Sequence, residues 1–420
     1  MSTSPAATPD DVRTLVVRTT QIADPGPLLA LLPENDQTAW VRREEGLVGW
    51  GVAASVRTSG ASRFADAHDW WREQTRIAVV RDEVRLPGTG LVAFGSFAFA
   101  DEPGDSVLLV PEVVVGVRDG TFWVTRIGVS TIGSLTDVHP TAEPPPPEDV
   151  RFSDGALSGA DWERAVAEAV RRIDAGDLEK VVLARDLLAE TSAPIDVRWP
   201  LRQLASEYPS CWTFHVDQMF GATPEMLVRR ERGLVTSRVL AGTIRRTGDD
   251  ARDLQLAASL ARSSKDLEEH EYAVRSVAEA LAPHCTSMNV PEAPFVLHLP
   301  NVMHLATDVA GVIDDRATSL ELAAALHPSA AVGGTPTASA TAVIAELEGM
   351  DRGRYAGPVG WIDASGDGEW GIALRSGLLD GSSVRLFAGC GIVAGSDPEA
   401  ELAEAQAKFV PVRNALLPPV

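Results

Sequence analysis

The stretch 358–393, PVGWIDASGDGEWGIALRSGLLDGSSVRLFAGCGIV, decides the fold class. Its runs 358–363, 369–376 and 384–393 are rich in β-formers, and Asp367-Gly368 and Asp380-Gly381 separate them as hairpin turns. The stretch therefore reads as a β-meander. Working outward, a helix opens at Ser396-Asp397-Pro398, with Pro411 ending or kinking it. Upstream, Thr335-Pro336 reads as an N-cap followed by proline at the first helical position, and that helix stops at Gly349. One long helical stretch covers 249–282.

The pattern continues towards the N-terminus. A strand at 180–188 follows a helix that opens at Ser158 with Asp161 and ends at Gly176. Trp162, Val166, Ala169, Val170 and Ile173 form the apolar stripe of that helix. The prolines of 143–149, EPPPPED, forbid helix and sheet pairing and mark a linker. Before it, 91–100, 107–117 and 121–129 read as strands joined by short turns, which favours antiparallel hairpins. Residues 1–12 read as a tail. Strands first, then helices interleaved with antiparallel strands, predict an α+β fold of two packed, mainly antiparallel sheets with surrounding helices.

Composition bounds the function. The 420 residues are 45% apolar and 23% charged, with 37 Lys and Arg against 59 Asp and Glu, a net charge of −22. That balance, with no cationic block, argues against a nucleic-acid or anionic-membrane partner. No apolar run approaches the roughly 18 residues of a membrane span, and MSTSPAATPDD lacks the basic and apolar regions of a signal peptide. Cys211, Cys285 and Cys390 are odd in number and widely spaced, which fits a reducing cytoplasm and no zinc site.

The common catalytic motifs are missing. There is no phosphate-binding Walker loop and no G-x-S-x-G, and His270-Glu271 lacks the second histidine of a zincin, since Val274 stands there. Arg375 shares a predicted strand face with Gly371 and Ala373, which leaves space for a carboxylate or phosphate, although a solvated arginine fits the same pattern. The glycines of Ala388-Gly389-Cys390-Gly391 allow close approach to the backbone, or mark a bulge. Glu401, Glu404 and Lys408 share one helix face, and Glu268, Glu269 and Glu271 crowd another helix. Carboxylates brought together from two helices would need a hard cation such as Mg²⁺ between them; on an acidic protein they otherwise form a wet surface. Lys180 opens an apolar strand, as a buried base or a solvated end residue. Glu225 follows a turn, as a proton donor or a loop carboxylate.

Taken in order, these pieces resemble the chorismate-utilising enzymes, the isochorismate, salicylate, aminodeoxychorismate and anthranilate synthases. The matching segments are Lys180-Val-Val-Leu-Ala-Arg185, Phe220-Gly-Ala-Thr-Pro-Glu225, Leu240-Ala-Gly-Thr243, Ser264-Lys-Asp-Leu-Glu-Glu-His270 and His304-Leu-Ala-Thr307. His327-Pro328, Gly360-Trp361, Arg375, Ala388-Gly-Cys-Gly-Ile-Val393 and Glu401-Leu-Ala-Glu404 complete them. They span about 155–415, and the resemblance implies one structural domain: 1–150 supply variable strands of the same sandwich, and 151–420 form the catalytic region.

It also implies roles. Glu269 and Glu404 become Mg²⁺ ligands, with Glu268 and Glu401 in the outer sphere. Gly242, Thr243, His327, Arg375, Gly389 and Lys408 would bind chorismate. Lys180 would activate water for attack at ring C2, and Glu225 would protonate the departing C4 hydroxyl, giving isochorismate. Anthranilate synthases carry glutamine where Lys180 stands, and aminodeoxychorismate synthases a lysine where Ala241 stands, so both are disfavoured. His304-Leu-Ala-Thr307 favours isochorismate synthase over salicylate synthase, which usually reads His-Leu-Gly; Val332 and Tyr355 look closer to menaquinone-pathway than to siderophore-type members, while Tyr355 also occurs in salicylate formers. A cytoplasmic, monomeric enzyme without an obligate glutamine amidotransferase subunit is the expectation.

Overall fold

The computed structural model describes residues 13–129, 132, 138–313 and 316–418; the expected tail at 1–12 lies outside them. The described strands form two mainly antiparallel sheets, one of 13 and one of 10 strands. Strands from both halves of the sequence join within each sheet. Gln37–Arg42 pairs with Trp212–Val216 in the larger sheet, and Val92–Ser96 pairs with Pro358–Asp363 in the smaller. Between the sheets lies an apolar core that includes Trp40, Phe94, Phe214 and Trp370, all at most 1% exposed. Removing such aromatic surface from water is the main driving force for closing the sandwich.

The chain passes repeatedly from one sheet to the other, and these crossings correct the sequence reading. The single strand expected at 107–117 is two, Ser106–Val110 in the smaller sheet and Val113–Arg118 in the larger. Pro111 lies at the break, where its missing N–H costs no ladder bond. The expected meander is likewise two hairpins in opposite sheets. Pro358–Asp363 pairs with Gly368–Ile372 in the smaller sheet, and Ser376–Asp380 with Ser383–Ile392 in the larger. Residues 373–375 make the crossing, and Arg375 turns it with φ +48°, so Arg375 is not a strand residue.

The helices also differ in detail from the sequence pattern. The stretch 249–282 is broken into Asp250–Leu260 and Ser264–Leu281, because the Ser263 side chain accepts the Asp266 amide and starts a new helix. The helix after Thr335-Pro336 runs Thr337–Leu347 without a side-chain cap, since Gly334–Thr335 pairs with Lys180-Val181 as a short strand. The last helix, Pro398–Ala415, is capped by Asp397 and continues through Pro411. The carbonyl that Pro411 leaves without its amide partner, that of Ala407, accepts the Asn301 side-chain amide at 3.0 Å. The helix Gly159–Asp174 forms as expected and buries Trp162, whose Nε1 donates to the Ala184 carbonyl at 3.1 Å. None of the described helices is long and apolar enough to cross a membrane.

Candidate active site

Two of the crossings build one wall of a tight cavity of about 50 Å³. The chain leaves the larger sheet after Met219–Thr223 and enters the smaller at Met226–Glu231, which puts Glu225 in the gap. It returns between Gly368–Ile372 and Ser376–Asp380, which puts Arg375 beside it. Glu225 and Arg375 are 4% and 8% exposed, and both line the cavity. Burial pushes the Glu225 carboxyl up to about 7, although the Leu240 amide, Arg375, Lys180 and Lys408 pull it down. At neutral pH it is therefore available as a proton donor as well as an acceptor.

A neutral histidine faces Arg375. His304 Nε2 lies 3.1 Å from Arg375 Nη2, and its Nδ1 lies 3.1 Å from Thr243 Oγ1. A guanidinium only donates, so Nε2 accepts and the proton sits on Nδ1. Burial, with Arg375 and Lys408 nearby, holds His304 well below the usual imidazole range. Thr243 follows Gly242, which sits at φ +79° on a bulge in the pairing of Leu234–Arg245 with Val302–Ile313. A Cβ at Gly242 would come within 3.0 Å of Asp266 Cβ.

Facing these groups are two acidic helix faces interleaved with lysines. Lys180, fully buried at the start of the strand Lys180–Glu190, places Nζ 3.3 Å from Glu269 Oε1. Lys265 Nζ is 2.7 Å from Glu401, and Lys408 Nζ is 2.6 Å from Glu404 and donates to the Gly389 carbonyl at 2.9 Å. Burial alone would lower the Lys408 ammonium, but Glu404 raises it above its ordinary range, so it stays charged. Glu269, Gly389, Gly391 and Lys408 line the cavity, whereas Lys180 reaches it only past Glu269. A Cβ on Gly391 would meet Glu269 Oε1 at 1.9 Å, so glycine is required for the Glu269 carboxylate to lie across that strand.

The donor set fits a hard divalent cation. Asp266, Glu269, Glu401 and Glu404 gather from two helices, and three lysines compensate four carboxylates. Burial raises the Asp266 carboxyl, and Glu269 and Glu404 raise it further; burial and Glu404 do the same to Glu401. A cation relieves that repulsion. Ligand atoms of Cys390, Glu401 and Glu404 lie within 4.8 Å of one another. Cys390 is kept protonated by burial and donates to the Glu401 carbonyl, which leaves oxygen donors only.

Most of the sequence-derived candidates meet here: Lys180, Glu225, Gly242, Thr243, Glu269, Arg375, Gly389, Glu404 and Lys408. Two do not. His327 lies outside this cavity, with Nε2 bonded to the Phe99 carbonyl at 2.9 Å and its ring against Phe64 and Phe99. Glu268 is exposed and accepts the Tyr272 hydroxyl at 3.3 Å, because it is one position off the inward face of its helix. Asp266, three residues before Glu269, takes the inward place expected of Glu268. The i, i+3 spacing shared by Asp266/Glu269 and Glu401/Glu404 was the available signal. His304 and Lys265 stood within the quoted motifs without an assigned role.

Residues 8–417 match the family described as chorismate binding enzyme. This chain belongs to that family. Within the chorismate-binding family it is 33% identical over 401 residues to the isochorismate synthase MenF of Bacillus subtilis, covering 88% of this chain and 85% of that protein. It is 41% identical over 268 residues to the isochorismate synthase DhbC of Bacillus subtilis, covering 61% of this chain and 67% of that one. The structure of the menaquinone-specific isochorismate synthase MenF from Escherichia coli shares the fold, with TM-score 0.79, 24% identity and 96% and 95% of the two chains covered.

Proposed function

We propose that this chorismate-binding enzyme is an isochorismate synthase, which adds water at ring C2 of chorismate and expels the C4 hydroxyl with a shift of the double bonds. The observation that carries the reading is a buried carboxylic acid poised near pH 7 that lines the cavity, with a fully buried lysine behind the cavity residue Glu269. In this reading Lys180 takes the proton of the attacking water once Glu269 turns away from it. Glu225 gives its proton to the departing hydroxyl, which leaves as water rather than hydroxide. Arg375 and Lys408 grip substrate carboxylates, and His304, held neutral, fixes the guanidinium that it accepts from.

Mg²⁺ belongs to the proposal: Glu269 and Glu404 would hold it, with Asp266 and Glu401 in support, and it would supply charge neutralisation and electron withdrawal at the ring carboxylate. Support comes from the oxygen-only donor set and its excess of carboxylates. The reading also takes the whole chain as one structural domain, in which 1–150 supply strands and 151–420 the catalytic groups, and the enzyme as a cytoplasmic monomer working without an amidotransferase subunit. The test is chorismate with Mg²⁺, products separated by chromatography. Isochorismate as the early product supports the reading; no consumption of chorismate, or pyruvate released in step with it, overturns it.

A further inference from the structure

The strand Lys180–Glu190 pairs along one edge with Ser383–Ile392. Its other edge meets Gly334–Thr335 at Lys180 and Val181, and Arg151–Asp154 only from Leu187 onward. Between them, next to Lys180, that edge has no strand partner among the described residues, and buried backbone groups left unpaired are costly. Other partners fill the gap. The Val182 amide donates to the Gly333 carbonyl at 2.8 Å, and the Ala184 carbonyl accepts Trp162 Nε1 at 3.1 Å. The remaining two groups are taken by one ion pair: Arg352 Nη2 donates to the Val182 carbonyl at 2.7 Å, and the Ala184 amide donates to Glu348 Oε1 at 2.7 Å.

The pair reaches further along the cavity wall. Glu348 and Arg352 are buried, and Arg352 Nε and Nη2 donate to the two Glu348 oxygens at 2.9 and 2.5 Å. Nη1 donates to the Val332 carbonyl at 2.9 Å, and the Arg352 carbonyl accepts the Tyr355 amide at 3.0 Å. The guanidinium carbon lies 4.2 Å from the centre of the Phe99 ring. Val182, Val332, Arg352 and Tyr355 all line the catalytic cavity. An ion pair buried this deeply adds little net stability over apolar residues of the same volume. What the planar fork of a guanidinium does supply is the fixed placement of several acceptors at once.

We propose that Arg352, oriented by Glu348, is a positioning residue of this enzyme. It takes the place of a strand partner, fixing the backbone two residues from Lys180 together with the Val332 wall of the cavity. The inference rests on the reading of Lys180 as the base. Arg375 and Lys408, which grip the substrate carboxylates in that reading, stand elsewhere, on the crossing 373–375 and the helix Pro398–Ala415. Loss of the clamp therefore slows the reaction step and spares binding. Arg352 also lines a larger neighbouring cavity of about 880 Å³, so truncating its side chain opens the vacated place to a small solute.

Arg352→Ala and Arg352→Lys test this, with chorismate consumption and product identity followed together. In protein shown to be folded by circular dichroism, kcat falls about ten- to a hundredfold in both variants, while KM for chorismate stays within about threefold of wild type. Lysine keeps the charge but offers a single nitrogen in place of the fork. Millimolar guanidinium chloride, entering from the larger cavity, restores part of kcat in Arg352→Ala and none in Arg352→Lys; sodium chloride at the same ionic strength restores none. Arg352→Lys carries the test if Arg352→Ala does not fold. Turnover per folded protein within about threefold of wild type, a loss confined to KM, or a folded Arg352→Ala that guanidinium does not rescue better than sodium chloride overturns the proposal while leaving the isochorismate synthase reading in place. A wild-type protein that forms no isochorismate overturns that reading, and the proposal with it.

Discussion

Glu225 and Arg375 stand on adjacent sheet-to-sheet crossings that are tied through their own carbonyls: the Ile372 amide donates to Glu225 and the Ala222 amide to Arg375, both at 3.2 Å. The backbone at both residues is thus fixed, and both side chains line the cavity. Arg375→Lys keeps the charge but loses the planar fork and its bond to His304. KM for chorismate is expected to rise about tenfold or more, with a smaller change in kcat. Steady-state kinetics check this, and an unchanged KM removes Arg375 from substrate binding.

The elevated Glu225 carboxyl is expected to set the alkaline limb of activity. A proton donor near 7 predicts that kcat falls as pH rises through about 7. Glu225→Gln should lose about 10²–10⁴ in kcat together with that limb. Stability gives an independent readout. The folded-state value lies above the unfolded one, so the group's favourable contribution is complete below pH 4.5 and is lost as pH rises through about 7. Relative to wild type, Glu225→Gln should therefore gain stability between pH 5 and 8 in denaturant titrations.

Lys180 is expected to act in the reaction step rather than in binding. Lys180→Ala should reduce kcat by about 10²–10⁴ while chorismate affinity, measured by calorimetry, changes little. Near wild-type turnover in a folded Lys180→Ala protein refutes the base assignment.

Metal dependence is the expected outcome of carboxylates that outnumber their lysines. Activity should vanish in excess chelator and return with Mg²⁺, and Glu269→Gln or Glu404→Gln should prevent the recovery. Gly391→Ala is a more specific probe, since its Cβ would occupy the place of Glu269 Oε1. It should raise the Mg²⁺ concentration for half-maximal activity while leaving the Glu225 pH limb in place.

Product choice should respond to the apolar side of the cavity. Val332 lines it, as does Tyr355, which stacks on Phe387 at 5.0 Å. Substitutions at either position should change the yield of pyruvate, read by coupling to lactate dehydrogenase, more than they change Mg²⁺ dependence, because neither residue carries a metal-binding carboxylate.

The sequence by itself determined the fold class, and its ordered motifs named most of the residues that gather at the cavity. Strand runs, caps and the spacings around Glu269 and Glu404 are local properties, fixed by backbone preference and side-chain period. Only the tertiary structure decided which sheet each strand joins. A period-two pattern through 369–376 continues unbroken past Ile372, yet the chain turns at Arg375 and changes sheets, since alternation records burial and not the partner strand. The same limit explains the inward face of Asp266 in place of Glu268, and the seat of His327 beside Phe99. Helix phase and long-range packing set those positions, and both depend on residues far away in the chain.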